Sequence, residues 1–251
     1  MTGIPLNFEV TGNPSGPTMV MVHGFLSSNV QWERNVDELG EHLQLVRVEL
    51  LGHGDSAIPD DAAAYAPATF ARSLETIREH VGVERWWVCG QSLGAAFSLR
   101  YVLGHQDRVQ GVVVTNTRAA FGTGRSDPDT DYTTIDLREV PFHPIHAKRF
   151  PTDIKERMVA KADAIPGYVL NHTISHRDTF SVVDDLHELT VPLLLVNGRY
   201  ERVFQPFVDE VRHALAELEI VHLDGGHSIN VEQPHAFNLA VLDFVGRHLD
   251  T

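Results

Sequence analysis

Short β-forming runs alternate with amphipathic helical stretches along most of this chain, and no other feature narrows its fold as sharply. The runs cover residues 18–22 (TMVMV), 45–49 (LVRVE), 86–89 (WWVC), 109–115 (VQGVVVT), 191–196 (VPLLLV) and 219–223 (EIVHL). Between them, apolar residues recur with helical spacing over 29–43, 69–81 and 93–103. Strands separated by a helix pair in parallel, because the crossover returns the chain to the same end of the sheet, and a parallel sheet is covered on both faces. The rhythm therefore predicts an α/β fold with a mostly parallel central sheet and helices on both sides. With 251 residues, 43% of them apolar, the chain can build one large core.

The rhythm breaks once, between residues 117 and 190. The text there turns irregular ("GTGRSDPDTDYTT", "PFHPIH", "AIPGY"), and its plausible helices, such as 152–164, are not separated by convincing strands. An insertion of this length in a chain that then resumes its βα alternation predicts a helical cap, 117–190, laid over a core made of 1–116 and 191–251. A helical subdomain with no part in the site is the alternative.

One serine lies where a strand should become a helix. In "VCGQSLGAAFSL" (88–99), Ser92 sits between Gly90 and Gly94, and Gly-x-Ser-x-Gly in a strand–turn–helix setting is a nucleophile elbow. Side chains at 90 and 94 would collide as the chain doubles back. The turn would aim the Ser92 hydroxyl away from the sheet and leave the amide of Leu93 at a helix N-terminus, where it can hold negative charge.

A serine hydroxyl attacks a carbonyl only when a base takes its proton, so Ser92 requires a histidine and the histidine requires an acid. Of 15 histidines, His227 follows the last predicted strand in "LDGGHSINVEQP" and precedes the last helix. The acid should end the strand before that, which runs into "NGRYERVFQP", where Glu201 is the one carboxylate ahead of Asp209. Asp224 is the rival; its closeness to His227 in sequence favours a role bracing the turn.

These motifs resemble the α/β-hydrolase fold superfamily over nearly the whole chain: "VHGF" (22–25), "LLGHGDS" (50–56), "GQSLG" (90–94), "VNGRYE" (196–201) and "GGHSINVEQP" (225–234), in that order. The resemblance implies an oxyanion hole built from the backbone amides of Phe25 and Leu93, with His23, His53 and Asp55 bracing loops. It also implies the order nucleophile, acid, histidine. Most relatives place aspartate where this chain has Glu201, and "VNGRYE" resembles the acid loop of the N-acyl-homoserine lactonases of this fold. "HGFLSSNVQW" is equally similar to small cofactor-free members: C–C bond hydrolases, enol-lactonases and the lyase of menaquinone synthesis. The expected activity is that of a serine hydrolase, a carboxylesterase or lactonase working through an acyl-enzyme on Ser92. A C–C bond hydrolase or lyase using the same residues, or a slow-turnover small-molecule receptor, are the alternatives.

Composition limits the partners. A net charge of −14 repels nucleic acid and anionic membranes, mildly disfavours highly anionic substrates, and leaves a small molecule with an apolar acyl or ring group as the expected ligand. Phe121, Tyr132, Phe142, Phe150, Tyr168 and Phe180 in the predicted cap would suit such a group. The pairs His143/His146 and His172/His176 have metal-compatible spacing but no companion carboxylate or cysteine cluster, and no nucleotide-binding glycine motif follows a strand. Neither metal nor cofactor is expected. The single cysteine, Cys89, lies within a predicted strand and suits a buried apolar position in a reducing compartment. With no signal-like N-terminus and no apolar run near the roughly 20 residues that span a bilayer, a soluble cytoplasmic protein is expected.

Overall fold

A computed structural model describes residues 4–122, 130–215 and 218–249. Strands β1 (Phe8–Gly12), β2 (Thr18–Val22), β3 (Gln44–Val48), β4 (Trp86–Gly90), β5 (Val109–Thr115), β6 (Leu193–Gly198) and β7 (Glu219–Leu223) form one sheet in the order β1-β3-β2-β4-β5-β6-β7. Every neighbouring pair is parallel except β1 with β3. The helices are α1 (Glu33–Gly40), α2 (Pro67–Val81), α3 (Leu93–Gly104), α4 (Arg118–Phe121), α5 (Thr152–Asp163), α6 (Gly167–Ser175), α7 (Gln205–Ala214), α8 (Ile229–Glu232) and α9 (Pro234–Arg247). None of these is long and apolar enough to cross a membrane.

The period of two along the strands divides the core. Met19, Met21, Trp87, Cys89 and Val113 face α1 and α9, where they pack on Leu39, Phe237 and Phe244. Val20, Val22, Val88, Val112 and Val114 face the opposite layer, packing on Leu74 of α2 and on Leu99 and Val102 of α3. Helix α2 buries Phe70, Leu74 and Ile77 at helical spacing, begins on Pro67, and stops where Gly82 turns left-handed at φ 79°. Helix α3 is buried nearly throughout. It sits between the sheet and α2, so the elbow at its start is fixed from both sides.

Between β5 and β6 the described residues contain helices and turns but no strand; part of the irregular run, residues 123–129, lies outside them. This stretch is draped over the loops at the C-terminal ends of the strands. Phe142 stacks on Phe25 at a ring separation of 5.6 Å, and Ile154 and Met158 pack with Val30 and Val231. Val169 presses so close to Gly52 (φ 74°) that a Cβ there would lie 2.4 Å from a Val169 methyl. The strand ends beneath it are where an open α/β sheet collects its functional side chains.

Candidate active site

Ser92 is the second residue of the two-residue corner between β4 and α3, with φ 52° and ψ −117°, a conformation a non-glycine residue holds only when its surroundings enforce it. The flanking glycines show the enforcement. A Cβ on Gly94 would lie 2.3 Å from the His23 carbonyl oxygen, and one on Gly90 would lie 2.6 Å from both Ala95 Cα and Ser98 Oγ. Leu93, the first residue of α3, has no carbonyl one turn back to receive its N–H. Across the cleft, Phe25 precedes Leu26, which is fully buried at φ 51°. Leu26 and Ser92 are the non-glycine residues with positive φ among the described residues, and each adjoins one of the two expected oxyanion donors.

His227 reaches the serine from the loop between β7 and α8. Its Nε2 lies 2.8 Å from Ser92 Oγ, and its Nδ1 lies 2.9 Å from Glu201 Oε1. With Nδ1–H donating to the carboxylate, Nε2 is left to accept the serine proton. The loops are locked together: Tyr200 N–H donates to Gly225 O at 2.9 Å, Gln91 Nε2 donates to His227 O at 3.1 Å, and a Cβ on Gly198 would meet Gly226 O at 2.0 Å. Surrounding protein disfavours the charged ring. The Glu201 hydrogen bond and charge, aided by Glu232, outweigh that and hold the His227 pKa above the usual histidine value, although the side chain is 42% exposed.

The second oxygen of Glu201 is also occupied. Asn116, fully buried at the end of β5, donates from Nδ2 to Glu201 Oε2 at 2.8 Å and accepts the Gly198 N–H at 3.1 Å. Sequence reading missed Asn116, whose only signal is its place at a strand end. Asp224, the rival acid, points away: its carboxylate is 63% exposed and lies 3.4 Å from Arg199.

A sequence model of the alpha/beta hydrolase fold family matches residues 17–160. The chain belongs to the alpha/beta hydrolase fold family. Carboxylesterase YbfK of Bacillus subtilis (strain 168) is 23% identical over 256 residues, which cover 94% of this chain and 82% of that protein. Among solved structures, a hydrolase from Pseudomonas aeruginosa PA01 superposes with a TM-score of 0.84 at 22% identity, covering 96% of this chain and 94% of its own. The enol-lactonase from Burkholderia xenovorans LB400 gives 0.78 at 22% identity, covering 96% of each. The fold expected from the five motifs is the fold observed.

The bracing residues of this alpha/beta hydrolase are partly those expected. His23 is buried; its Nδ1–H donates to Gly24 O at 2.7 Å and its Nε2 accepts the Leu50 N–H at 3.1 Å. Burial pushes it down to about 4, so the ring is neutral. His53 donates from Nδ1 to Leu51 O at 2.9 Å. The Asp55 carboxylate, 77% exposed, braces nothing in its own loop. That work falls to Glu49, which is buried and accepts the N–H groups of Asn29 at 3.2 Å and Asp55 at 2.8 Å.

Beside Leu93 lies a small, partly open, mainly apolar cavity with about 20 Å³ of free space, with Leu50, Tyr65, Phe70 and Phe97 in its walls. The aromatics expected from 117–190 lie elsewhere. Phe180 backs Phe97 from behind, Phe121 packs near Phe204, and Phe142 covers Phe25; Thr173 is that stretch's contribution to the wall. Three of the four paired histidines have structural hydrogen-bond partners. His143 Nδ1 accepts the Ile145 N–H at 3.1 Å, His146 donates to Arg138 O at 2.8 Å, and His176 donates to Ala62 O at 2.7 Å. Among the described residues no group of three or more His, Cys, Asp or Glu side chains is placed to hold a metal. Cys89 is buried, and burial raises its thiol pKa far out of the reactive range.

Proposed function

We propose that this chain is a serine hydrolase that cleaves a carboxylic ester or lactone through an acyl-enzyme on Ser92. The observation that carries the proposal is the continuous relay Glu201–His227–Ser92, with contacts of 2.9 and 2.8 Å. His227 accepts the Ser92 proton as Oγ attacks the carbonyl carbon. Glu201, held by Asn116, keeps the ring in the tautomer that can accept and stabilises the imidazolium. The backbone amides of Phe25 and Leu93 hold the oxyanion, and the two strained corners beside them keep those donors fixed while charge develops. His227 then returns its proton to the departing alcohol oxygen. Water, deprotonated by the same ring, attacks the acyl carbon, and collapse of the second tetrahedral intermediate releases the acid and restores Ser92.

The apolar walls beside Leu93 suit an apolar acyl or ring group and must part to admit it, and the described residues between β5 and β6 act as the cap that moves. The carboxylesterase activity named for the Bacillus relative and the lactonase activity named for the Burkholderia structure support ester or lactone chemistry.

A fluorophosphonate ester should label Ser92, identified by peptide mass spectrometry. Ser92→Ala should remain folded, lose labelling, and lose on the order of 10⁴-fold or more in kcat on activated esters. Labelling elsewhere, or near-normal turnover by the folded variant, would remove Ser92 from the reaction.

A further inference from the structure

Two arginines stand near His227, one with neither hydrogen bond nor ion pair among the described residues and one held only by a long ion pair and a ring contact. Arg149 comes from the stretch between β5 and β6. Its guanidinium lies 4.9 Å over the Tyr200 ring, with Nη1 3.9 Å from Glu232 Oε2 and 3.6 Å from where a Cβ on Gly226 would stand. Tyr200 and Gly226 directly precede Glu201 and His227, so this cation sits where the acid and histidine loops meet. Glu232 does not saturate it. A separation of 3.9 Å is beyond hydrogen-bond reach, Oε2 already accepts the Gly226 N–H at 2.8 Å, and the Arg149 side chain stays 54% exposed.

Arg118 opens α4 two residues after Asn116, the partner of Glu201. It is exposed, and its side chain has neither hydrogen bond nor ion pair among the described residues. Its charge is felt at His227, where it opposes protonation. Several other arginines of this acidic chain are matched by carboxylates, as in Arg47–Glu9, Arg78–Glu75, Arg100–Asp185 and Arg247–Glu219.

We propose that Arg118 and Arg149 form an anion-binding rim that selects substrates carrying a carboxylate on the alcohol half of the scissile ester or lactone. The inference rests on the reading of Ser92 and His227 as nucleophile and base. The side follows from that chemistry: His227 hands its proton to the departing oxygen, so the alcohol half lies on the histidine side, where both arginines stand. The acyl half lies towards Leu93 and the apolar cavity. A guanidinium presents paired N–H donors that match a carboxylate. The chain's net negative charge is screened beyond a Debye length of about 8 Å at physiological salt, so the attraction comes from direct contact of the carboxylate with the two guanidinium groups.

Three aryl esters test this: phenyl butanoate, 3-carboxyphenyl butanoate and the monophenyl ester of glutaric acid, which places the carboxylate on the acyl half. The wild-type protein should favour 3-carboxyphenyl over phenyl butanoate by about tenfold in kcat/KM at low salt, an advantage that shrinks as sodium chloride is added. In Arg118→Gln/Arg149→Gln the ratio of the two values should fall close to one. Each single variant should lose part of it, which decides the matter if the double variant does not fold. A wild-type ratio near one, a ratio untouched by the substitutions, or a larger advantage for the glutarate ester would overturn the inference alone. Absence of turnover on all three esters by the folded wild type would overturn the underlying hydrolase reading, and this inference with it.

Discussion

Glu201 and Asp224 are the two carboxylates that could serve as the acid for His227, and the fold gives them different surroundings. Glu201 has both oxygens committed, one to His227 Nδ1 at 2.9 Å and one to Asn116 Nδ2 at 2.8 Å, whereas Asp224 faces solvent beside Arg199. Glu201→Gln keeps the size but removes the charge and can donate a proton of its own, which favours the wrong imidazole tautomer. The expected loss is up to about 10⁴-fold in kcat. The pH dependence should move as well. Burial works against the imidazolium and the Glu201 charge outweighs it, so the wild-type kcat/KM should rise through a pKa above the ordinary histidine value. Without that charge the rise should shift to lower pH. Asp224→Asn should change stability by no more than about 0.5 kcal/mol and leave the profile in place. Rates on both folded variants between about pH 5 and 9 check this; an unshifted limb in Glu201→Gln would remove the acid from the relay. Glu201 was legible because its strand and its place in the chain order could be read locally. Asn116 was not, because its contact with Glu201 spans 85 residues and exists only once β5 and β6 are paired.

The β4–turn–α3 unit shows what a strand–helix junction demands of its glycines. A Cβ on Gly94 would meet the His23 carbonyl oxygen at 2.3 Å and that of Val22 at 2.4 Å, both backbone atoms of a central strand and its loop, which cannot yield without opening the sheet. Gly104, at the other end of the same helix, has nothing within 4 Å of the equivalent point and no unusual φ. Gly94→Ala should therefore destabilise the protein by several kcal/mol, of the order of 1–3 or more for overpacking, and displace the Ser92 corner. Gly104→Ala should stabilise it by about 0.4–1 kcal/mol by restricting the unfolded chain. Urea unfolding of the two variants measures both, and equal effects would refute the close approach. Strand β5 was legible because it is buried nearly throughout and its apolar run is almost continuous; β7, a half-buried edge strand, was legible from its β-forming residues, and both match their expected bounds. Strand β1 escaped notice because it is an edge strand with Val10 45% exposed, so it carries no apolar run. Strand β6 begins at Leu193, past Pro192, which has no N–H to give the ladder. The helical pattern over 29–43 resolves into a turn at Asn29–Trp32, capped by Ser28, followed by the shorter α1.

Composition made the net charge and the wealth of histidines visible, but not which charges are matched or which rings are sealed inside, because both depend on neighbours brought together by folding. Those sealed rings govern how the molecule responds to acid. His23 and His53 are buried with ring centroids 5.4 Å apart; burial, reinforced at His53 by its neighbour, depresses them to about 4 and about 3. Burial also depresses His143 and His222. As pH falls below the ordinary histidine value of about 6.5, the unfolded chain takes up protons that these rings refuse, so stability falls with pH. The decline should continue through about pH 4 for His23 and about pH 3 for His53. Glu38, Glu75, Asp163 and Glu219 are held below their usual values; their contribution is present above the ordinary carboxylate range and is lost only below it. His227 has the opposite sign: its raised pKa lends stability that is complete below about 6.5 and lost as pH rises through the folded value. One ring of that sign cannot cancel the others, so between about pH 6.5 and 4.5 the slope should be set by the buried neutral histidines. Each fully depressed ring contributes up to about 1.4 kcal/mol per pH unit. His53→Asn removes one such ring whatever it does to stability at neutral pH. Urea unfolding at about pH 7, 6 and 5 should show the variant's stability declining less steeply than the wild type's, by close to one proton. Parallel declines would mean that His53 is protonated in the folded protein and that the loop it braces is open to water.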